Sequence, residues 1–367
     1  MRANDLAILV GISKYYSPTF KELSSPLNDV ELMKDWLLRK DGGNMDPNRV
    51  FLITTTADRI ADKSWRQWRP SLAEFKDAFD QRVTDQDGKF IRQPGRLYLY
   101  FSGHGFAEWA TLKDRGSMDA ALVSANSVED TPDNICGSFF AQVAHMHSLF
   151  EEIVLIMDCC RNASVKSSYA RPAYPIPVFP KANSAKGIAI FAAPHGSSTP
   201  ERAFGERGGK VYGILTNALI SCLETATPDD SRGLSSLTLM KQLDQRWHEF
   251  SDDPTTSGFR FSPMDSEMIF FNASSKLLTQ RICLSHPLTA ATTVIVSDGK
   301  FNTLFTIWLQ NDVAVLRDRA GNVAPLPISS ENEFSVLLEP GLFRVILAGD
   351  RSGEQLFQSS EGAHVKL

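Results

Sequence analysis

The chain has 367 residues, 43% hydrophobic and 22% charged, with 23 glycines and 19 prolines, which excludes collagen-like, low-complexity and mainly disordered classes. A formal net charge of −5 without a long basic run gives no support to a nucleic-acid surface, and no apolar run approaches the roughly 20 residues of a membrane-spanning helix. Five cysteines without regular spacing argue against a disulfide framework and for a reducing, cytoplasmic setting.

Five strand-length apolar runs follow one another along the chain: residues 6–11 (LAILVG), 49–54 (RVFLIT), 96–101 (RLYLYF), 152–157 (EIVLIM) and 187–192 (GIAIFA). Near-continuous apolar runs mark strands buried on both faces, as in parallel sheets covered by helices. Helical patterns lie between them. Residues 28–38 place Val30, Met33 and Leu37 on one face. Residues 70–83 open with Pro70 at a first helical position and carry the stripe Leu72, Phe75, Phe79 and Val83. Residues 133–150, 212–224 and 236–250 complete the set. The alternation predicts an α/β sandwich with a mostly parallel central sheet.

Two stretches read as exposed insertions. Residues 57–69 carry Trp65 and Trp68, three apart and expected to cover one side of a helical turn. Residues 162–186 hold four prolines, several serines and the bases Lys166, Arg171, Lys181 and Lys186, which predicts a long loop. After about Asn272 the helical stripes stop. Short strand-like runs at 291–296, 305–309, 313–316, 334–338 and 342–347 alternate with turn signals such as Asp298-Gly299 and Pro340-Gly341. The expected organisation is an α/β domain over 1–273 and a small all-β domain over 274–367.

Two strand ends are chemically unusual. The third strand runs into Phe101-Ser102-Gly103-His104-Gly105, and the fourth into Asp158-Cys159-Cys160-Arg161. Sites in open α/β sheets form outside the carboxyl ends of the strands, so His104 and one of the two cysteines project into one region. A thiol needs a neighbouring base to become a good nucleophile near neutral pH. The glycines flanking His104 leave backbone N–H groups open, and those of Gly105 and the nucleophile would form an oxyanion hole. A structural histidine in a Gly-rich turn accounts for one motif, but not for the pair. Cys136, Cys222 and Cys283 are expected on apolar faces, His145 and His147 point to different sides of a helix, and no spacing matches a zinc site.

The strings YLYFSGHG and VLIMDCC resemble the histidine and cysteine motifs of the caspase-like cysteine peptidases, most closely the metacaspase and prokaryotic caspase-like branch. The segments Ser25-Pro26-Leu27-Asn28-Asp29 and AALVSANSVEDTPDN (120–134) agree, and the resemblance spans about residues 5–271. It implies a three-layer sandwich and a cysteine endopeptidase using a Cys-His dyad through an acyl-enzyme. The family pattern selects Cys160 as nucleophile with His104. Strand alternation is compatible, since Asp158 and Cys160 would share a direction and Cys159 would point away. Family members often continue Cys-His-Ser-Gly, whereas this chain reads Cys160-Arg161-Asn162-Ala163.

The same resemblance implies an acidic pocket built from Asp29 and Asp158, with Ser102 on its wall. Two convergent carboxylates suit a basic side chain, so cleavage is expected after Arg or Lys rather than Asp or Asn. Asp29 also reads as a helix N-terminal carboxylate, and the two roles are compatible. Calcium-dependent relatives use an aspartate cluster. Asp119, Glu129 and Asp130 supply part of one, Ser167 stands where those enzymes carry another Asp, and Asp85-Gln86-Asp87-Gly88 lacks the remaining loop ligands, so no metal or other cofactor is expected. Protein or peptide substrates are the implied partners, with a regulatory protein on 274–367 and neither nucleic acid nor membrane. The basic loop 162–186 reads as a self-processing segment. Metacaspases are typically monomeric. The alternative is a non-catalytic scaffold acting through the β domain. Retention of both Cys160 and His104 favours the enzyme.

Overall fold

The computed structural model describes residues 3–60, 63–108, 119–130, 132–164, 168–175, 185–225, 234–251, 260–265, 270–271, 278–285, 287–298, 303–311, 313–318, 321–326, 328–330, 333–338, 342–348, 353–358 and 364–366. The chain forms two compact units that meet in sequence between Ala273 and Ser274, leaving aside 227–233, which lie outside the described residues.

The first unit runs β1 (Leu6–Gly11), α1 (Pro26–Leu38), β2 (Val50–Thr54), α2 (Ala57–Ile60), α3 (Leu72–Val83), β3 (Arg96–Gly103), β4 (Gly105–Glu108), β5 (Ala121–Val123), β6 (Asn134–Cys136), α4 (Gly137–Met146), β7 (Glu152–Cys159), β8 (Asn162–Ser164), β9 (Lys186–Phe191), β10 (Glu201–Ala203), β11 (Val211–Gly213), α5 (Ile214–Thr225), β12 (Leu234–Ser235), α6 (Ser236–Phe250), β13 (Arg260–Asp265) and β14 (Phe270–Phe271). Six strands form the central sheet in the order β13-β9-β7-β3-β1-β2, parallel except for β13, which runs antiparallel to β9. β1 feeds β2 on one side, while β3 feeds β7 on the other. The strand order therefore reverses between β1 and β3, and a crevice opens beyond their carboxyl ends.

Each sheet face packs a helical layer, as side-chain alternation requires. On one face Leu6, Ile8, Val10, Leu97, Leu99, Phe101, Leu155 and Met157 meet Phe75, Phe79 and Val83 of α3 and Phe140 and Val143 of α4. On the other, Ala7, Leu9, Tyr98, Tyr100, Val154, Ile156, Ile188 and Ile190 meet Val30, Met33 and Leu37 of α1, Leu215 and Leu219 of α5, and Leu239 and Leu243 of α6. The result is the three-layer sandwich. A smaller sheet, β6-β5-β4-β8, pairs the chain after His104 with the chain after Cys160, since β4 and β8 run parallel with Phe106 opposite Asn162.

Several elements differ from the sequence expectation. α3 starts at Leu72 rather than Pro70, because the Ser71 side chain caps it by accepting the Glu74 N–H. The N-terminal proline signature belongs instead to Pro26, which opens α1. The helical pattern over 133–150 splits: residues 134–136 pair antiparallel with β5, and the helix runs only from Gly137 to Met146. Likewise 211–213 form β11 against β10 before α5 begins. In both cases tertiary pairing overrides local periodicity.

The loop expected over 162–186 is structured where it is described. Asn162–Ser164 is β8, and 168–175 docks on the body. Tyr169 is buried, its hydroxyl accepting the Glu108 N–H, and Tyr174 donates to Asp80 within a ring cluster of Phe79, Phe90, Phe139 and Phe140. Lys166 and Lys181 lie outside the described residues. Trp65 and Trp68 sit half-buried on a 3-10 turn, and Trp68 packs edge-on to Tyr16.

The second unit is all-β: β15 (Leu278–Cys283), β16 (Thr293–Asp298), β17 (Thr303–Gln310), β18 (Val313–Asp318), β19 (Val323–Pro325), β20 (Ile328–Ser330), β21 (Glu333–Leu338), β22 (Leu342–Ala348), β23 (Gly353–Gln358) and β24 (His364–Lys366). They form two sheets, β20-β21-β15-β24 and β19-β18-β17-β16-β22-β23, around a core that includes Ile282, Val294, Val296, Ile307, Val336 and Val345. Among the described residues no helix is long and apolar enough to cross a membrane.

Candidate active site

The register of the central sheet sets the site. Ser102 on β3 stands opposite Asp158 on β7, and Gly103 stands opposite Cys159. Side-chain alternation then sends Asp158 toward the α5 layer and Cys159 into the opposite core, where it is 1% exposed. Cys160 follows the strand end and is half-buried.

Asp29, Ser102 and Asp158 come together on one face of the sheet. Asp29, in the first turn of α1, is 0% exposed, and Asp158 is 4% exposed. Ser102 Oγ donates to Asp29 Oδ2 at 2.8 Å, and the Gly213 N–H donates to Asp29 Oδ1 at 2.9 Å. Asp158 Oδ2 accepts the Thr216 N–H at 2.9 Å and the Thr216 hydroxyl at 2.5 Å, while Tyr100 shares that hydroxyl at 2.5 Å. Gly213 is wedged against Asp158: a Cβ there would stand 2.3 Å from Oδ2. Neither carboxylate pairs with a Lys or Arg among the described residues. Burial pushes the pKa of Asp29 well above the usual carboxylate range, and the neighbouring Asp158 adds to the shift. Burial likewise raises Asp158, against the two hydrogen bonds from Thr216.

His104 sits in an aromatic surround, its ring 5.0 Å from that of Tyr15 and 5.7 Å from that of Phe20. The His104 N–H donates to the Tyr15 hydroxyl at 2.7 Å, and that hydroxyl donates to the Ile12 carbonyl at 2.8 Å. On the imidazole, Nε2 lies 2.8 Å from the Lys21 carbonyl oxygen. A carbonyl only accepts, so Nε2 carries the hydrogen and Nδ1 keeps its lone pair.

Gly105 joins the two strand ends. A Cβ at this position would stand 2.5 Å from Cys159 Sγ and 2.7 Å from the Cys160 carbonyl oxygen, so only glycine fits. The backbone after His104 therefore lies directly against the Cys159 side chain and the Cys160 carbonyl. His104 and Cys160 are not hydrogen-bonded to each other among the described residues. The Cys160 thiol instead meets the backbone of Thr199, accepting its N–H at 3.4 Å and lying 3.7 Å from its carbonyl oxygen. Burial pushes the thiol up, the Thr199 N–H opposes this, and Asp158 adds to it.

Arg161 explains what replaces the family's usual continuation after the cysteine. Its side chain is 1% exposed and donates to the Asp119 carbonyl from Nε at 3.1 Å and Nη2 at 2.9 Å, and to the Ala193 carbonyl from Nη1 at 3.3 Å. Its backbone also exchanges hydrogen bonds with the 196–197 turn. Asp119 thus offers a carbonyl to Arg161. Among the described residues no three His, Cys, Asp or Glu side chains group as metal ligands, and Ser167 lies outside them. Asp85-Gln86-Asp87-Gly88 is a turn, with Asp85 Oδ1 accepting the Asp87 and Lys89 N–H groups. Cys136 and Cys222 are buried, and Cys283 is half-buried in β15.

The sequence reading missed Tyr15, Lys21, Thr199, Glu201, Gly213 and Thr216. Lys21 and Thr199 act through backbone atoms, which carry no side-chain signature. Tyr15 had a signal, since it follows the strand beside the order reversal. Glu201 on β10 accepts the Ser25 N–H at 2.9 Å and the Ser24 N–H at 2.9 Å, tying the loop between Lys21 and Asp29 to the chain just beyond Thr199.

The sequence model of the caspase domain matches residues 4–266. Two solved structures are similar over 73% of this chain: caspase-1 from Spodoptera frugiperda (12% identity, TM-score 0.44, 92% of that chain) and pro-sf-caspase-1 (11% identity, TM-score 0.42, 90% of that chain). No curated protein sequence matches. On the domain match over more than two thirds of its length, the chain belongs to the caspase-domain family of cysteine peptidases.

Proposed function

We propose that the protein is a cysteine endopeptidase of metacaspase type that cleaves after Arg or Lys, with Cys160 as nucleophile and His104 as proton carrier. The observation that carries the specificity is the pair Asp29 and Asp158, two buried carboxylates that lack a cationic partner among the described residues. Asp158 Oδ1 takes no hydrogen bond among those residues, which leaves an acceptor for an incoming guanidinium or ammonium group.

His104 Nδ1 takes the proton from Cys160 Sγ, and the sulfur attacks the peptide carbonyl carbon. The N–H groups of Gly105 and Cys160, on chain segments in contact, receive the oxyanion. The imidazolium returns the proton to the leaving amine as the C–N bond breaks. Water then hydrolyses the acyl-enzyme, with His104 again acting as base. The contacts of the thiol with Thr199 yield when substrate enters, since Nδ1 and Sγ have to meet for the first step.

Self-processing belongs to the same reading. Arg171 is docked and precedes Pro172, whose imide bond is a poor substrate, so Lys166 and Lys181 are the expected cleavage points. The β unit would receive an activating or regulatory protein, and the setting is cytoplasmic without a metal requirement. A peptidyl chloromethyl ketone ending in Arg tests the core claim. Its sulfur adduct is expected on Cys160, with intact-mass spectra of uninhibited enzyme showing chain scission that Cys160→Ala abolishes. An adduct on Cys159 contradicts the assigned nucleophile.

A further inference from the structure

Away from the crevice, the first unit carries a cavity of about 560 Å3 between the Trp65–Gln67 turn, the first turns of α3 and the docked segment 170–172. Arg66, Arg69, Lys76 and Arg171 line it, against a single carboxylate, Asp133. Asp133 is already engaged, since its Oδ2 accepts the Leu72 N–H at 3.3 Å at the start of α3. Arg66 stacks on Trp65 at 4.8 Å, and among the described residues Arg69 donates only to the carbonyls of Arg66 and Trp68, at 2.8 and 2.9 Å. Neither arginine meets a carboxylate among the described residues. Arg171 reaches Glu108 only at 3.4 Å and is half-exposed, and Lys76 bonds Asp80. The cavity therefore holds an excess of positive charge on groups with hydrogen-bonding capacity to spare.

One lining group is of another kind. Asn126 is nine-tenths buried, and its side-chain oxygen has no hydrogen-bond partner among the described residues. A buried unsatisfied amide is costly, and a ligand hydroxyl or ring N–H would satisfy it. Guanidinium pairs suit phosphate oxygens in bidentate geometry. The volume falls within the roughly 300–1,000 Å3 of small-molecule sites. We propose that this cavity binds a small phosphate ester, its phosphate on Arg66, Arg69 and Arg171 and its polar carrier against Asn126. Nucleoside and sugar phosphates share this chemistry. The ligand would bridge α3 to the segment that leads away from Cys160.

Calorimetric titration of the full chain, as Cys160→Ala to prevent scission, tests this with pyrophosphate, ADP and glucose 6-phosphate against sodium chloride of matched ionic strength. Saturable binding of at least one ester is expected, tighter than pyrophosphate and weakened about tenfold or more by Arg66→Gln with Arg69→Gln. The tighter ester identifies the carrier. Arg69 also ties its own turn, so Arg66→Gln with Arg171→Gln, both exposed side chains, gives an independent arm with the same expectation. Pyrophosphate binding as tightly as either ester overturns the carrier contact. No saturation by about 10 mM, or binding undiminished in both double variants, overturns the site.

Discussion

Asp158, the carboxylate proposed to receive a basic side chain, costs the folded protein stability through its burial. Burial raises its folded pKa, so the folded state holds a proton that the unfolded state releases. Stability therefore falls as pH rises from the unfolded carboxyl value, near 3.9, toward the raised folded value. Asp158→Asn removes that loss with little disturbance: the amide oxygen can keep both Thr216 hydrogen bonds at Oδ2, and the NH2 replaces Oδ1, which has none among the described residues. The variant is expected to melt at or above the wild-type temperature at neutral pH, with the difference vanishing near pH 3, while losing about 100-fold in kcat/KM for Arg substrates. A wild-type-like kcat/KM on Arg peptides would contradict the pocket. The wild-type profile has a matching sign. Binding of a basic side chain needs ionised Asp29 and Asp158, and attack needs ionised Cys160, all three of which are raised. Measured kcat/KM should climb from acid through mildly alkaline pH. An optimum below about pH 6 would be inconsistent with these shifts.

At the scale of elements, the site is an agreement between separately built segments. β3 and β7 are fixed by apolar runs that the sequence displays openly, and their register alone sets Ser102 beside Asp158. The β1–α1 loop and β10 have no such signal, yet Glu201 holds them together through two backbone N–H groups. Ser25 is the N-cap of α1 without a side-chain cap bond, so the Glu201 carboxylate supplies the anion at that helix start. Glu201→Ala is expected to raise KM for Arg peptides by about tenfold, from loss of charge-assisted bonds worth about 1.5–3 kcal/mol, with the slope of the pH profile unchanged. A purely structural role would instead lower the melting temperature and leave KM alone. The short strands β6 and β11 show why 133–150 and 212–224 read as helices throughout. Three-residue strands carry too little periodicity to compete with the helix that follows, although each pairs with a strand close by in sequence. The same holds in the second unit for β19, β20 and β24, each three residues long, and for β15 and β23, whose polar LTQRIC and GEQLFQ lack an apolar run.

For the molecule as a whole, the fold was legible because doubly buried strands and amphipathic helices leave strong patterns, and the two strand ends of the candidate site stood out because glycine, histidine and cysteine leave strong ones too. What stayed hidden was the supporting structure: carbonyls of Lys21, Asp119 and Ala193, the Thr199 backbone over the thiol, and the docking of 168–175 by Tyr169 and Tyr174. These contacts use backbone atoms or join segments that only the finished fold brings together. Through them His104 is bonded to Lys21 and Cys160 to Thr199, rather than to each other among the described residues. The proposed activity requires Cys160 to act beside an acidic pocket. The direct measurement is hydrolysis of fluorogenic peptides ending in Arg, Lys, Asp or Asn by the wild type, Cys159→Ala and Cys160→Ala, with and without calcium. Turnover of the Arg and Lys peptides by the wild type and Cys159→Ala, without calcium and abolished in Cys160→Ala, is the predicted result. Turnover confined to Asp or Asn peptides, or surviving in Cys160→Ala, would contradict it.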